Sequence, residues 1–305
     1  MTQRRTKKTV NRARKEEERW CYFMLTIPIV GFAVFSVYPI LWTFKWSFYN
    51  YTGAASSAVF IGLKNFVDVF QDRIYWSTWL TTLEFTLLKV PLEMCLALGL
   101  AIILMKGLKG SGFFRIVFYM PNVISVAVIG VIFTNMFGYY GVINTLFRQN
   151  ADWFSSKLAA IVMLVLVSIW NTFGVNVMYL MSALANVPTE LYECASLDGA
   201  SSWVKFKDVT LPMIRPVFGV VLLLAVLGTL STNEYILAFT GGAPNGATNT
   251  VMSYLTTQYV PGFVDTTGTG RIVKLGYGSA LSLVTTILFI LVGIVHQKIG
   301  NRSDT

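Results

Sequence analysis

Long apolar blocks alternate with short polar ones along this chain. Six of the blocks reach or approach the roughly 20 apolar residues that a bilayer-spanning helix needs, near 21–43, 77–105, 113–137, 158–184, 215–236 and 276–296. Glycine and proline recur inside several of them, which membrane helices tolerate because neighbouring helices re-satisfy the freed backbone groups. The pattern predicts an all-α membrane protein of six transmembrane helices. One polar stretch is longer than a connection requires: PTELYECASLDGASSWVKFKDVTLPMIRP, Pro188 to Pro216, between the fourth and fifth blocks. Thr189 is placed to cap two turns over ELYECASL, Asp198-Gly199 supplies a break, and Ser201 or Ser202 caps a second short helix. In that second helix Trp203, Phe206 and Val209 form an apolar stripe opposite Lys205, Lys207 and Asp208, and Pro212 and Pro216 lead into the next span. The expected result is a helix-turn-helix lying on the membrane surface.

Charge orients this arrangement. If the N-terminus is cytoplasmic, segments on that side carry 16 Lys and Arg, those on the far side carry 7, and Lys89 lies within a span. The positive-inside rule then places both termini and the 188–216 insert in the cytoplasm. The domain reading is a basic cytoplasmic tail at 1–20, a six-helix transmembrane body at 21–297 that carries the insert, and a cytoplasmic tail at 298–305. Eight basic residues sit in RRTKKTVNRARKEEER, directly before the first span, so the net charge of +9 reads as a flank near anionic lipid rather than a nucleic-acid surface. The first apolar run is too long for a cleaved signal peptide and five more spans follow it.

Enzymatic chemistry finds little support. The three cysteines, Cys21, Cys95 and Cys194, have neither disulfide nor zinc spacing, and His296 is the only histidine. A His-dependent triad or a His-based metal site within the chain is excluded, and no phosphate-binding G-x-x-x-x-G-K-[ST] loop occurs. No catalytic or metal-ligating residue is assigned, and any ATP-driven step requires another subunit.

The insert resembles the EAA loop of the membrane-spanning permeases of bacterial ATP-binding cassette importers. The resemblance rests on Glu193-Cys194-Ala195, then Gly199, then Val209-Thr210-Leu211-Pro212, with Cys194 and Val209 standing where the family has alanine and isoleucine. FIGLKNFVDVFQD, GLKGSGFFRIVFYMPNVIS, DGASSWVKF and FTGGAPNGATNT are similar to the carbohydrate-uptake branch, the maltose and glycerol-phosphate type. That resemblance implies an inner-membrane importer subunit for a sugar or sugar derivative. Its partners would be a second homologous permease, two cytoplasmic ATPases that hold ATP and Mg, an extracytoplasmic solute-binding protein and membrane lipid. It further implies that Glu193, Ala195, Asp198, Gly199, Leu211 and Pro212 couple the chain to the ATPases, and that the Thr240 to Pro244 loop faces the binding protein. Gly199 is expected where the backbone needs a positive φ or a very close approach.

Substrate candidates come from polar residues at membrane depth, where they are costly and face a cavity or another helix. With Ser168 as origin and about 100° per residue, Asn171 falls at roughly −60°, Thr172 at 40°, Asn176 at 80°, Tyr179 at 20° and Ser182 at −40°. Leu166, Trp170, Phe173, Val177 and Met181 take the other side. Asn171, Thr172 and Asn176 therefore form a stripe suited to pairing with sugar hydroxyls. Thr229 and Asn233 join as candidates from the fifth span, where Thr232 shares their face and Glu234 is adjacent. Glu84, Lys89 and Glu93 lie in the second span; Lys89 and Glu93 are spaced to neutralise one another, and a proton-coupled secondary transporter is the rival reading. A membrane-embedded enzyme is a further rival, for which the chain offers no nucleophile and base.

Overall fold

The computed structural model describes residues 18–107, 109–148, 151–260 and 273–302. Most of the basic tail, residues 1–17, and the last three residues lie outside the described residues. Among the described residues, six helices are long and apolar enough to cross a membrane: Glu18–Trp46, Arg73–Met105, Val126–Phe147, Lys157–Ala185, Ser202–Leu230 and Leu275–Lys298. Two compact units emerge, one from residues up to 69 with 274–283, the other from residues 70–273 and 284 onward.

In the first unit, the chain leaves the first span through a short antiparallel hairpin that pairs Tyr49 with Phe60 and Asn50 with Val59. Asn65 fixes this corner by donating its amide to the carbonyls of Ser47 at 2.8 Å and Tyr49 at 3.0 Å, and the Trp46 and Tyr51 rings stack 3.9 Å apart. The last span enters against this corner, where the amide of Gly276 donates to the carbonyl of Tyr51 at 2.9 Å.

The second unit is a helical bundle. Asp72 caps the second span by accepting from the amides of Ile74 and Tyr75 at 2.9 and 3.2 Å, which satisfies two orphan donors of the first turn. Below the middle of the bundle, Val90, Met94, Ala97, Ala101 and Leu104 of the second span pack on Val177, Leu180 and Met181 of the fourth and Val221 of the fifth. Towards the opposite end, Phe85, Ile129, Leu164, Val167, Ile236 and Phe239 form a second buried cluster. Packing between the fourth span and the helix Ser111–Val123 demands glycine: a Cβ at Gly174 would stand 2.0 Å from the Phe118 carbonyl oxygen.

Two expectations need correction. The apolar block at 113–137 is not one rod but two helices, Ser111–Val123 and Val126–Phe137, parted at Ile124 and Ser125, which take extended backbone angles. The break falls just after Pro121, and the carbonyl that Pro121 presents there accepts both the Ile124 amide at 3.2 Å and the Asn171 side-chain amide at 2.6 Å. Nor is the second helix of the polar insert a short, separate one. It runs unbroken from Ser202 into the fifth span, through a π-helical stretch at Lys205–Thr210. The amide of Leu211 bonds to the carbonyl of Phe206, five residues back, so the wider turn accommodates Pro212, which has no amide to donate.

Candidate functional site

The first helix of the insert spans Thr189–Leu197 and ends in a Schellman motif. The amide of Ala200 donates to the carbonyl of Ala195 at 2.9 Å and that of Gly199 to Ser196 at 3.1 Å, with Asp198 as C-cap. Gly199 takes φ of +75°, and a Cβ placed on it would meet nothing within 4 Å. The turn's handedness, not crowding inside this chain, explains the glycine. Ser201 caps the second helix by accepting from the Val204 amide at 3.4 Å.

The inner side of the insert is tied to the bundle. Tyr192 and Val209 pack on a cluster of Ala183, Val187 and Ile214, and the hydroxyls of Tyr192 and Thr210 lie 2.9 Å apart. Lys205 crosses between its two helices to donate to the Ser196 hydroxyl at 2.6 Å. The outer side is bare: Leu197 is 89% exposed and Trp203 68%. Glu193, Asp198, Gly199, Leu211 and Pro212 are exposed as well, and Ala195 is half-buried. Exposed apolar side chains thus stand beside charged ones on this projection.

A cavity of about 440 Å³ opens among the second, fourth and fifth spans, within the roughly 300–1,000 Å³ typical of small-ligand sites. Its wall includes Lys89, Glu93, Asn122, Thr172, Asn176, Tyr179, Thr229, Thr232, Asn233, Glu234 and Tyr235. Lys89 and Glu93 lie near the middle of the second span, as buried side chains 3.1 Å apart in an ion pair. Glu93 Oε1 also accepts from the Thr172 hydroxyl at 2.7 Å and the Asn176 amide at 2.9 Å, while Lys89 Nζ donates to Thr229 Oγ1 at 3.2 Å. Two charges at this depth are retained only because each is paired and hydrogen-bonded. Their network joins three spans at the cavity wall.

The fifth helix stops here. After Leu230 the chain is unwound through Ser231, Thr232 and Asn233, then resumes in a turn that becomes π-helical over Ile236–Thr240. Backbone released from a helix at membrane depth must find partners or line a water-filled cavity. The Thr232 carbonyl accepts the Thr250 hydroxyl at 2.8 Å, and beside it the side-chain amide of Asn233 donates to the Thr256 hydroxyl at 3.2 Å. Thr250 is held in turn by a capping box with Ser253 at the start of the helix Val251–Tyr259.

Of the five substrate-pathway candidates, Thr172, Asn176, Thr229 and Asn233 line the cavity. Asn171 does not: it is 3% exposed, donates to the Pro121 carbonyl, and accepts the Tyr235 hydroxyl in a hydrogen bond. It seals the break in the neighbouring helix. Sequence reasoning left out Asn122 and Tyr235 as site residues and set aside Lys89, Glu93 and Glu234. The Lys89 to Glu93 spacing was the available signal; the cavity position of Asn122 depends on a helix break that the apolar pattern does not show. Glu84 lies elsewhere, paired with Lys157 at 2.7 Å at the bundle surface.

Comparison with known proteins places these features in context. Residues 94–302 match the family described as "Binding-protein-dependent transport system inner membrane component". The chain is 29% identical over 289 residues to the trehalose/maltose transport system permease protein MalF of Thermococcus litoralis, covering 93% of this chain and 94% of that one. It is 31% identical over 274 residues to the sulfoquinovosyl glycerol transport system permease protein SmoG of Agrobacterium fabrum, covering 88% and 86%. Its fold matches a chain of a bacterial alginate ABC transporter solved in complex with an alginate pentasaccharide-bound periplasmic protein, with a TM-score of 0.79 at 18% identity, covering 94% and 96%. With its six membrane-length helices, the chain belongs to the inner-membrane permease components of binding-protein-dependent transport systems.

Proposed function

We propose that the chain is one permease subunit of an ATP-driven importer and that a sugar or sugar derivative passes through the cavity beside Lys89 and Glu93. The observation that carries this reading is a polar cavity at mid-span height, next to an unwound helix segment, in a chain of this family. Hydroxyl and amide side chains there offer both donors and acceptors, as a polyhydroxylated ligand requires. The names of the relatives differ in cargo.

In this reading the exposed face of the insert docks onto a cytoplasmic ATPase, with Glu193, Ala195, Asp198, Gly199, Leu211 and Pro212 as the coupling residues. ATP and Mg are bound by two such ATPases, not by this chain. A second, homologous permease completes the pathway, and an extracytoplasmic solute-binding protein delivers the sugar. Both termini and the insert lie in the cytoplasm. ATP-driven closure of the ATPases moves the insert and, through it, the fifth helix. The proton-coupled rival is less well supported, since Lys89 and Glu93 neutralise each other and Glu84 pairs with Lys157 away from them.

The test is Gly199→Asp in the full complex reconstituted in vesicles, with ATP hydrolysis, sugar uptake and retained ATPase measured together. The reading expects weakened ATPase retention or hydrolysis uncoupled from uptake, with insertion intact. Normal retention and a normal ratio of sugar imported to ATP consumed would remove the insert from the coupling role. Uptake that persists without ATP and collapses with the proton gradient would favour the rival.

A further inference from the structure

The cavity wall bears three ionisable carboxylate or ammonium groups, and only one is left without an opposite charge. Lys89 and Glu93 are spent on one another at 3.1 Å, and the other oxygen of Glu93 is occupied by Thr172 and Asn176. Glu234 stands at the unwound segment, exposed to the cavity, with no hydrogen bond or ion pair among the described residues. The remaining polar lining is neutral amide, hydroxyl and phenol. The lining therefore carries a net charge of one negative unit, and its sole cation is already neutralised.

We infer that Glu234 is a charge filter: the cavity admits uncharged or amine-bearing saccharides and turns away those bearing a carboxylate or sulfonate. This rests on the reading of the cavity as the sugar passage. A carboxylate accepts hydrogen bonds but donates none, so it suits the hydroxyl groups of a neutral sugar or the ammonium of an amino sugar. An acidic sugar brings a second anion beside it, where like charges within about 6 Å at an effective dielectric constant near 20 to 40 disfavour binding by roughly 10- to 100-fold. Because no described residue holds Glu234 by a hydrogen bond or ion pair, replacing it removes the charge without breaking such a contact.

The test measures equilibrium binding of radiolabelled sugars to the purified permease–ATPase complex without the solute-binding protein, so that its selectivity does not intervene. Matched pairs serve as probes: maltose, trehalose and lactose, and each of the three with a primary alcohol oxidised to a carboxylate. Wild type is expected to bind at least one neutral sugar about 10-fold or more tighter than its acidic counterpart. Glu234→Gln should bring that ratio near one, chiefly by tighter binding of the acidic sugar, and Glu234→Lys should reverse it. Glu84→Gln, a carboxylate outside the cavity, should leave it unchanged. An unaltered ratio in Glu234→Gln, or wild type binding both members equally, overturns the filter while leaving the sugar passage standing. If wild type binds no member of any pair, and uptake in the complete system shows no sugar either, the passage reading falls and the filter with it.

Discussion

Removing Glu93 should cost the bundle more than removing both Glu93 and Lys89. The two side chains are 1% and 6% exposed and 3.1 Å apart, where opposite charges attract by about 5 kcal/mol at an effective dielectric constant of about 20. Glu93→Leu leaves the buried Lys89 ammonium with Thr229 as its one remaining partner among the described residues and deprives Thr172 and Asn176 of their acceptor. Breaking a buried pair in this way costs about 3–5 kcal/mol, chiefly through the uncompensated charge. Lys89→Met should fall in the same range for the converse reason. In the double variant no charge is stranded, so its loss should fall below that of Glu93→Leu alone, which makes it smaller than the sum of the singles by about 3–5 kcal/mol. Denaturant unfolding of the chain in mixed micelles, for wild type, both singles and the double, measures all four corners of this cycle. Losses that add to within about 0.5 kcal/mol would refute the reasoning and mean that the two side chains act independently despite their contact.

Asn176→Leu should reduce sugar uptake while assembly and basal ATP hydrolysis persist, whereas Asn171→Leu should lower the yield and thermal stability of the chain, because Asn171 serves the Pro121 carbonyl and not the cavity; kinetics and melting curves on both variants separate the outcomes. Gly174→Val should destabilise the bundle by about 1–3 kcal/mol or prevent its assembly, since even a Cβ would lie 2.0 Å from the Phe118 carbonyl oxygen, and size-exclusion profiles with unfolding curves read this out. With native cysteines replaced, a cysteine at Ser201 should react with a membrane-impermeant thiol reagent only when the cytoplasmic face is open, and one at Asn245 should react from outside; the reverse pattern overturns the orientation.

The apolar blocks made the number of spans legible because hydrocarbon thickness dictates their length, whatever they pack against. Breaks within spans were not legible for the same reason: Ile124-Ser125 and Ser231 to Asn233 are set by partners distant in sequence, Asn171 and Thr250, that supply the missing hydrogen bonds. The helical wheel grouped Asn171 with Thr172 and Asn176 over an arc of roughly 140°, too broad to face one surface. Packing divides that arc, sending Asn176 to the cavity and Asn171 to a neighbouring helix. Gly199 was readable because its demand is local, a left-handed turn between two capped helices. The second helix reads as short because Pro212 lacks a donor for an α-helical turn, whereas here the preceding turn widens and the helix continues.

The unbroken helix from Ser202 to Leu230 has a mechanical consequence. Its 29 residues make a rod of about 43 Å at about 1.5 Å per residue, with one end at the Gly199 turn and the other at the cavity wall. A tilt of about 5° about the midpoint carries the two ends some 2 Å in opposite directions. The contact between Thr229 and Lys89 is 3.2 Å long, and a hydrogen bond stretched by 2 Å no longer exists. A deflection too small to unfold anything at the insert thus suffices to free the Lys89 ammonium from one of its two partners, so the cavity's polar lining changes with the angle of a lever whose handle is the insert. Spin-label distances between the helix and the second span, taken with and without nucleotide in the full complex, would register that tilt or show the rod to be still.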